Sequence, residues 1–304
     1  MIKLGKTGLA ETYPTILFFI YLNMHAFVIT MAAILFYICV FHFIIMSPSV
    51  QLYSVYYKEF PLMPKAAYVR PIQAGAAIHE RLPMASDDAG LSISRLNDLY
   101  SELTAYYWVY KNAPRKTAAL GLCHYRRYLI PTRYRYFIWP RSYYYVRTSQ
   151  KVLDDILTDK LVAQYSELLA THDVILPHPA YAYRKRKKVY TVDKAYNINH
   201  IGSDWDTTKA IVLKKHPEYK QSIEILGKQT KLFFNNVMIA PWHIWDDYLN
   251  WLFDILFEVE RSIELPREGY QSRVMGFLAE RLHNLYILHK GYKAAYLTQA
   301  IFSK

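Results

Sequence analysis

The chain has 304 residues, 53% of them hydrophobic, and only two cysteines, so it can bury a full core but cannot build a disulfide framework or a Cys-based zinc site. Its formal charge of +12 is unusual for a soluble metabolic enzyme and points to an anionic partner: nucleic acid, an anionic membrane or a phosphorylated substrate. A Gly-rich dinucleotide fingerprint, a P-loop, a G-x-S-x-G elbow, H-E-x-x-H and C-x-x-C are all missing from the sequence, which removes most of the support for those reaction classes.

Taken in chain order, the first feature is an uncharged run from Thr12 to Tyr57 with no Asp, Glu, Lys or Arg. Within it, Ile16 to Met46 exceeds the roughly 20 apolar residues that cross a bilayer, and the natural reading is one transmembrane helix over about 16–46. Pro48-Ser49 makes a poor signal-peptide cleavage site; a buried core helix is the alternative. Lys3 and Lys6 precede the run while Lys58 and Lys65 follow it, so the flanking charges nearly tie in setting orientation. The expected organisation is an N-terminal extension, 1–48, followed by a catalytic-sized domain, 49–304.

Gln51 to Tyr57 predicts a strand. A helix capped by Asn97 or Asp98 and running through Lys111 is predicted next, with Leu99, Leu103, Tyr106, Tyr107 and Tyr110 on its buried face. Ala118 to Cys123 and Asp173 to Leu176 suit buried strands, and Val152 to Ala170 between them reads as an amphipathic helix. Leu232 to Ala240 predicts a strand, and 243–263 and 271–290 predict two long helices that close the domain, the first with Ile244, Tyr248, Trp251, Leu252, Ile255 and Val259 as its apolar stripe. This alternation argues for an α/β domain.

Charge is segregated. No acidic residue occurs between Leu103 and Leu153, while Arg126, Arg127, Arg133, Arg135, Arg141 and Arg147 all fall there, interleaved with Tyr and Trp. The stretch suits a phosphorylated ligand, stacked RNA or single-stranded DNA, or anionic lipid. For Arg184 to Lys188 (RKRKK) a solvated face is as good a reading as a functional one. The sharpest segment is Gly121-Leu122-Cys123-His124-Tyr125-Arg126-Arg127-Tyr128, an apolar strand running straight into a His and two Arg. Ligands of open α/β sheets bind at strand carboxyl ends, and Arg offers bidentate contacts to phosphate oxygens.

GLCHYRRYL resembles the hallmark of a bacterial glycosyltransferase family from capsule and O-antigen (lipopolysaccharide) gene clusters, long catalogued as a domain of unknown function. The likeness continues in order through VYYKEFPL at 55–62, SDDAGLSIS at 86–94, YSELTAYYWVYKN at 100–112, HDVILPHP at 172–179, NNVMIAPWHIWDDYLNWLFDILFEVE at 235–260 and RVMGFLAERL at 273–282. Two departures stand out: Leu91-Ser92 replaces the family's usual Asp-Asn, and the N-terminal span is an addition.

The resemblance implies a Rossmann-like, GT-A-like nucleotide-diphospho-sugar transferase fold. It implies a hexosyltransferase-class enzyme moving a sugar from a nucleotide-sugar donor to a polysaccharide or glycolipid acceptor. Membrane is then a partner and nucleic acid is not; the expected location is a single-pass membrane protein with its catalytic domain cytoplasmic. The competing class is a non-enzymatic membrane protein whose basic and aromatic region binds nucleic acid or anionic lipid.

By the same resemblance Tyr57, Lys58, Asp87 and Asp88 are candidates for holding the nucleoside, although Asp87-Asp88 before Ala-Gly is also an ordinary turn; Glu102 is a further candidate. A base for the acceptor hydroxyl is sought in Asp193, His200, Asp204 and Asp206, in a segment that resembles an acceptor-side loop, or in Glu280, whose plain reading is a surface ion pair beside Arg281. Enzymes of this fold commonly hold a divalent cation with Asp-x-Asp after a central strand; here that strand ends in His124-Tyr125-Arg126. The expectation is a metal-independent enzyme with no required cofactor, in which Arg126 or Arg127, with His124, neutralises the diphosphate. If the strand stayed extended, His124 and Arg126 would share the site face and Arg127 would brace the fold.

Overall fold

The computed structural model describes residues 50–131 and 142–303, together with Met31. The architecture belongs to the unit Pro48–Lys304. Its first strand, β1 (Val50–Tyr56), is buried at every position except Gln51, as a parallel strand covered on both faces requires. β2 (Val69–Gln73) and β3 (Ala85–Ser86) extend the sheet in parallel on one side of β1. The chain then crosses over through α1 (Asn97–Tyr100) and α2 (Leu103–Asn112) to β4 (Ala119–His124), which pairs in parallel with the other side of β1.

β5 (Arg127–Ile130) returns from β4, and β6 (Tyr143–Arg147), α3 (Gln150–Ile156), α4 (Asp159–Leu169) and β7 (Val174–Pro177) follow. Two small antiparallel ribbons lie outside the main sheet. One pairs β8 (Ala180–Tyr181) with a later strand; the other is the hairpin of β9 (Tyr183–Lys185) and β10 (Lys188–Tyr190). After α5 (Val192–Asn199), α6 (Gly202–Lys215) and α7 (Lys220–Lys228), β11 (Lys231–Leu232) completes the β8 ribbon. β12 (Met238–Pro241) then enters the main sheet antiparallel to both β4 and β7. The long helices α8 (Trp242–Ser262) and α9 (Val274–Lys290) precede the last strand, β13 (Ala294–Ser303), which runs parallel to β7 and β6 and antiparallel to β5.

Alternate residues of the central strands feed two cores, one on each face of the nine-stranded sheet. Tyr53, Val55, Leu120 and Leu122 join α2, α6, α8 and α9 on one side, and Val50, Leu52, Ala119 and Cys123 join α3 and α4 on the other. Gly121 makes room for the side chains of the two strands that flank it: a Cβ there would lie 2.2 Å from a Leu52 methyl and 3.1 Å from Ile239. The apolar stripe expected on the helix at 243–263 is buried from Ile244 to Val259. α9 is buried nearly all round from Val274 to Ile287 and ends on Gly291 in the left-handed region, φ 64°, the usual helix stop.

Three expectations need correction. The helix expected over 97–111 breaks at Ser101, φ 51° and ψ −129°; the Asn97 side chain spans the break by donating to the Ser101 carbonyl at 2.7 Å. The helix expected over 152–170 is two helices, parted at Leu157-Thr158. The strand expected over 232–240 is interrupted by a turn at Asn235-Asn236, both with positive φ. β2 and β13 have no counterpart among the expected elements. Among the described residues no helix is long and apolar enough to cross a membrane, and the span expected at 16–46 lies outside them, as do Arg133, Arg135 and Arg141.

Candidate functional site

The strand order 3-2-1-4 reverses direction between β1 and β4, the position at which open α/β sheets leave a crevice beyond their strand ends. A cavity of about 320 Å³ opens there, walled by Val55 and Tyr57 from β1, Ala74 and His79 beyond β2, and His124 to Arg127 from β4 onward. Strand β4 does not run on in extended form. Tyr125 and Arg126 make a two-residue turn closed by the pairing of His124 with Arg127, so the directly paired His124 and Arg127 share a face. The expected His124/Arg126 face, with Arg127 outside the site, is therefore wrong: all three side chains line the cavity. Buried Tyr125 holds the turn, with its ring 4.8 Å from Phe60 and 5.2 Å from Tyr56.

The facing wall comes from distant parts of the chain. An adjoining chamber of about 150 Å³ is lined by Glu102, His124, Arg127, Asn235, Arg273 and Glu280, among others. The Asn235-Asn236 turn ties these together. The Asn235 carbonyl accepts from Nε2 of His124 at 2.9 Å, its N–H donates to Oε1 of Glu280 at 2.9 Å, and the Asn236 amide donates to Oε1 of Glu102 at 2.9 Å. Two consecutive left-handed residues are costly for anything but Gly, Asn or Asp, which accounts for the residue type. The break at Ser101 starts α2 immediately after Glu102 and leaves that carboxylate on the cavity wall. Arg273 spans both chambers, donating to the Ser101 hydroxyl at 2.8 Å and standing 3.8 Å from Glu102.

The electrostatics are unusual. Among the described residues neither Arg126 nor Arg127 has a carboxylate within 4 Å, and the buried Nε of Arg127 has no partner. Burial and the neighbouring Arg126 lower the Arg127 pKa, but a guanidinium stays charged. Glu102 and Glu280 oppose that shift from beyond ion-pair distance, so the half-buried guanidinium stands on the cavity wall without an ion pair. Desolvation, opposed in part by Glu102, pushes His124 down to about 4. The ring is neutral near pH 7, and its bond to a carbonyl places the single proton on Nε2, leaving Nδ1 as an acceptor. A charge-assisted His124–phosphate bond, as the sequence suggested, does not fit that state. Burial raises the Glu280 carboxyl above its ordinary range, against the lowering effect of Arg281. The expected surface ion pair of Glu280 is instead a largely buried contact of 3.1 Å with Arg281.

Several expected site residues stand elsewhere. Asp87 is fully buried and its carboxylate is consumed by the N–H groups of Gly75 and Ala76 and the Ser94 hydroxyl. Asp88 accepts from Ser86 at 2.7 Å and Arg81 at 2.9 Å, and these bonds lower its pKa. Both brace the loop beyond β2. Asp193 accepts from the Trp205 indole at 2.7 Å and pairs with Lys209, fastening α5 to α6. Asp204 forms a buried two-pronged pair with Arg267. None of these four lines either chamber. Lys58 lies over the Tyr57 ring, 5.4 Å from its centroid, and is not part of the wall; Tyr57 is. His79, Asn97, Ser101, Arg273 and the Asn pair carry no local motif. Only the Asn-Asn dipeptide, a turn signal, could have been noticed.

An open α/β sheet with an arginine-lined crevice at its switch point defines a Rossmann-like protein. The chain belongs to the family described as domain of unknown function DUF4422, which it matches over residues 51–291; this is the family expected from the collinear segments. No curated protein matches the chain. Among solved structures it is similar to the apo structure of WbbM, a bifunctional glycosyltransferase, with a TM-score of 0.74 and 26% identity over 84% of this chain. That match covers 46% of the WbbM chain, so the present chain spans about half of that protein's length.

Proposed function

We propose that the protein is a glycosyltransferase of GT-A-like fold that transfers a hexosyl unit from a nucleotide-sugar donor to a glycan or lipid-linked glycan in surface polysaccharide synthesis, at a membrane. The observation that carries this reading is the unpaired Arg127, set with Arg126 and Arg273 around a crevice whose inner chamber holds Glu102 and Glu280. The likeness to WbbM supports the reaction class.

In this reading the donor diphosphate lies against Arg126, Arg127 and Arg273, which give it charge-assisted hydrogen bonds. The acceptor hydroxyl oxygen attacks the anomeric carbon, and the bond from that carbon to the β-phosphate oxygen breaks. The electron pair of the broken bond stays on the departing nucleoside diphosphate, where the guanidinium groups stabilise it. The hydroxyl proton passes to Glu280, whose raised pKa makes it the better proton acceptor. Neutral His124 offers Nδ1 as an acceptor for a sugar hydroxyl. Arginine charge serves here in place of a divalent cation.

The test is release of nucleoside diphosphate from a panel of nucleotide hexoses, with and without EDTA. Donor-dependent release that survives chelation is the expected result. Activity lost in EDTA and restored by manganese would refute the metal-free version, and failure to bind or turn over any donor, with tight RNA binding instead, would reverse the reading.

A further inference from the structure

The hairpin of β9 and β10 carries the most concentrated charge of the described residues: Arg184, Lys185, Arg186, Lys187 and Lys188 are consecutive and all exposed. None of the five has a carboxylate within 4 Å among the described residues. Their neighbours are aromatic. Arg184 and Lys231 lie over the Tyr181 ring at 5.6 and 5.0 Å, Lys188 lies over Tyr190 at 5.2 Å, and Tyr183 packs on Tyr190 with ring centroids 5.4 Å apart. The tip is Arg186-Lys187, with Arg186 at φ 54°, where a tight hairpin ordinarily uses Gly or Asn. One cation, Arg186, is thus kept at the tip in a conformation that disfavours it, a sign of function more than of folding.

Topology fixes the end of the sheet from which this segment departs. β12 is antiparallel to β4 and to β7, so β7 runs in the direction of β4 and its carboxyl end lies at the end of the sheet that holds the cavity. The hairpin follows after His178-Pro179 and the short strand β8.

We propose that this hairpin is a docking surface for the anionic headgroups of a lipid bilayer, holding the mouth of the cavity toward the membrane. Lysine and arginine flanked by tyrosine is the composition of a membrane interface. A nucleic acid fits less well, since stacking needs open aromatic faces: Tyr183 and Tyr190 are half-buried against each other, and the exposed Tyr181 already has Arg184 and Lys231 over its ring. The uncharged run from Thr12 to Tyr57 adds a sequence-level reason to expect a bilayer nearby.

The test uses trypsin, for which the five cations are themselves cleavage sites, and reads cleavage, so it stands apart from sugar transfer. Full-length protein is mixed or reconstituted with vesicles of phosphatidylcholine alone or with about 30% phosphatidylglycerol. Each cation near an anionic surface is worth on the order of fivefold in association, so cleavage within 184–188 is expected to slow about tenfold or more on the anionic vesicles. That protection is expected to vanish in about 0.5 M salt, where the Debye length is only a few ångströms. Cleavage at Arg261, on α8 and exposed, serves as the control. Lys185→Glu with Lys187→Glu leaves Arg184, Arg186 and Lys188 as sites and should lose the protection; if that variant misfolds, the salt series on the native chain decides alone. Equal cleavage on both vesicles overturns the proposal, and so does protection by RNA that phosphatidylglycerol does not match.

Discussion

Two sets of carboxylates in this molecule look alike in sequence and differ completely in use. Asp87 and Asp204 are buried with every oxygen engaged, the first by three donors and the second by one guanidinium in a two-pronged pair. Glu102 is held by one amide donor from the Asn235-Asn236 turn with Arg273 3.8 Å away, and Glu280 by the Asn235 N–H and Arg281; unlike the first pair, both carboxylates also line a cavity. A carboxylate whose coordination is complete is a structural fastener; one left partly open beside unpaired cations is available for chemistry. Asp87 and Asp204, from the acidic clusters that stand out in the sequence, belong to the first kind. The proposed reactive set is assembled from positions 102, 127, 235 and 280.

The largest expected effects test the open set. Arg127→Ala should lower turnover by about 10²–10³, and Glu280→Gln by about 10²–10⁴; the Gln side-chain oxygen still accepts from the Asn235 N–H, but buried Arg281 loses its charged partner, so turnover is compared per folded enzyme. Arg127→Lys should reduce turnover more than Arg126→Lys, because Arg127 is the deeper of the two and its planar fork is what a lysine lacks. Steady-state rates at saturating donor decide these points; wild-type turnover in Glu280→Gln would move the base to Glu102.

Asp204→Asn tests the closed set. It leaves Arg267 buried with its partner neutralised, and breaking a pair of this kind costs about 3–5 kcal/mol of stability. Denaturant unfolding should show that loss, while donor affinity in the folded fraction stays unchanged.

The buried histidines sharpen the comparison through pH. His124 and His200 are pushed down to about 4 and His283 to about 3, chiefly by desolvation. Above their ordinary value of 6.5 they are neutral in both folded and unfolded chains and cost nothing. As pH falls below 6.5 the unfolded chain takes up protons that the folded chain refuses, so stability drops progressively toward pH 4. Unfolding near pH 5 should therefore bind up to three protons from these sites, measurable as the slope of unfolding free energy against pH. Turnover should also fall with decreasing pH as Glu280, whose carboxyl pKa is raised by burial, takes its proton. The smallest effect belongs to Asp88, whose pair with half-exposed Arg81 is a surface contact: Asp88→Asn should cost less than about 1 kcal/mol and leave donor binding intact, whereas a loss of donor affinity would return Asp88 to the site.

The amino-acid sequence by itself determined the α/β alternation, the buried strands at 50–56 and 119–124, the apolar stripe of α8 and the importance of the segment from His124 to Arg127, because hydrophobic periodicity and charge placement are local quantities. It named Glu280 as a candidate base, but the alternative of a surface ion pair with Arg281 fails for a specific reason: VMGFLAERLHNLYIL is apolar almost all round, a pattern of a buried helix that makes any carboxylate on it exceptional. What only the tertiary structure decided is which charges stay unpaired. The turn at Tyr125-Arg126 brought Arg127 into the cavity wall beside Arg126, and the left-handed Asn235-Asn236 pair joined residues more than a hundred positions apart. Such pairings depend on hydrogen bonds completed by distant chain segments, which no local pattern of residues encodes.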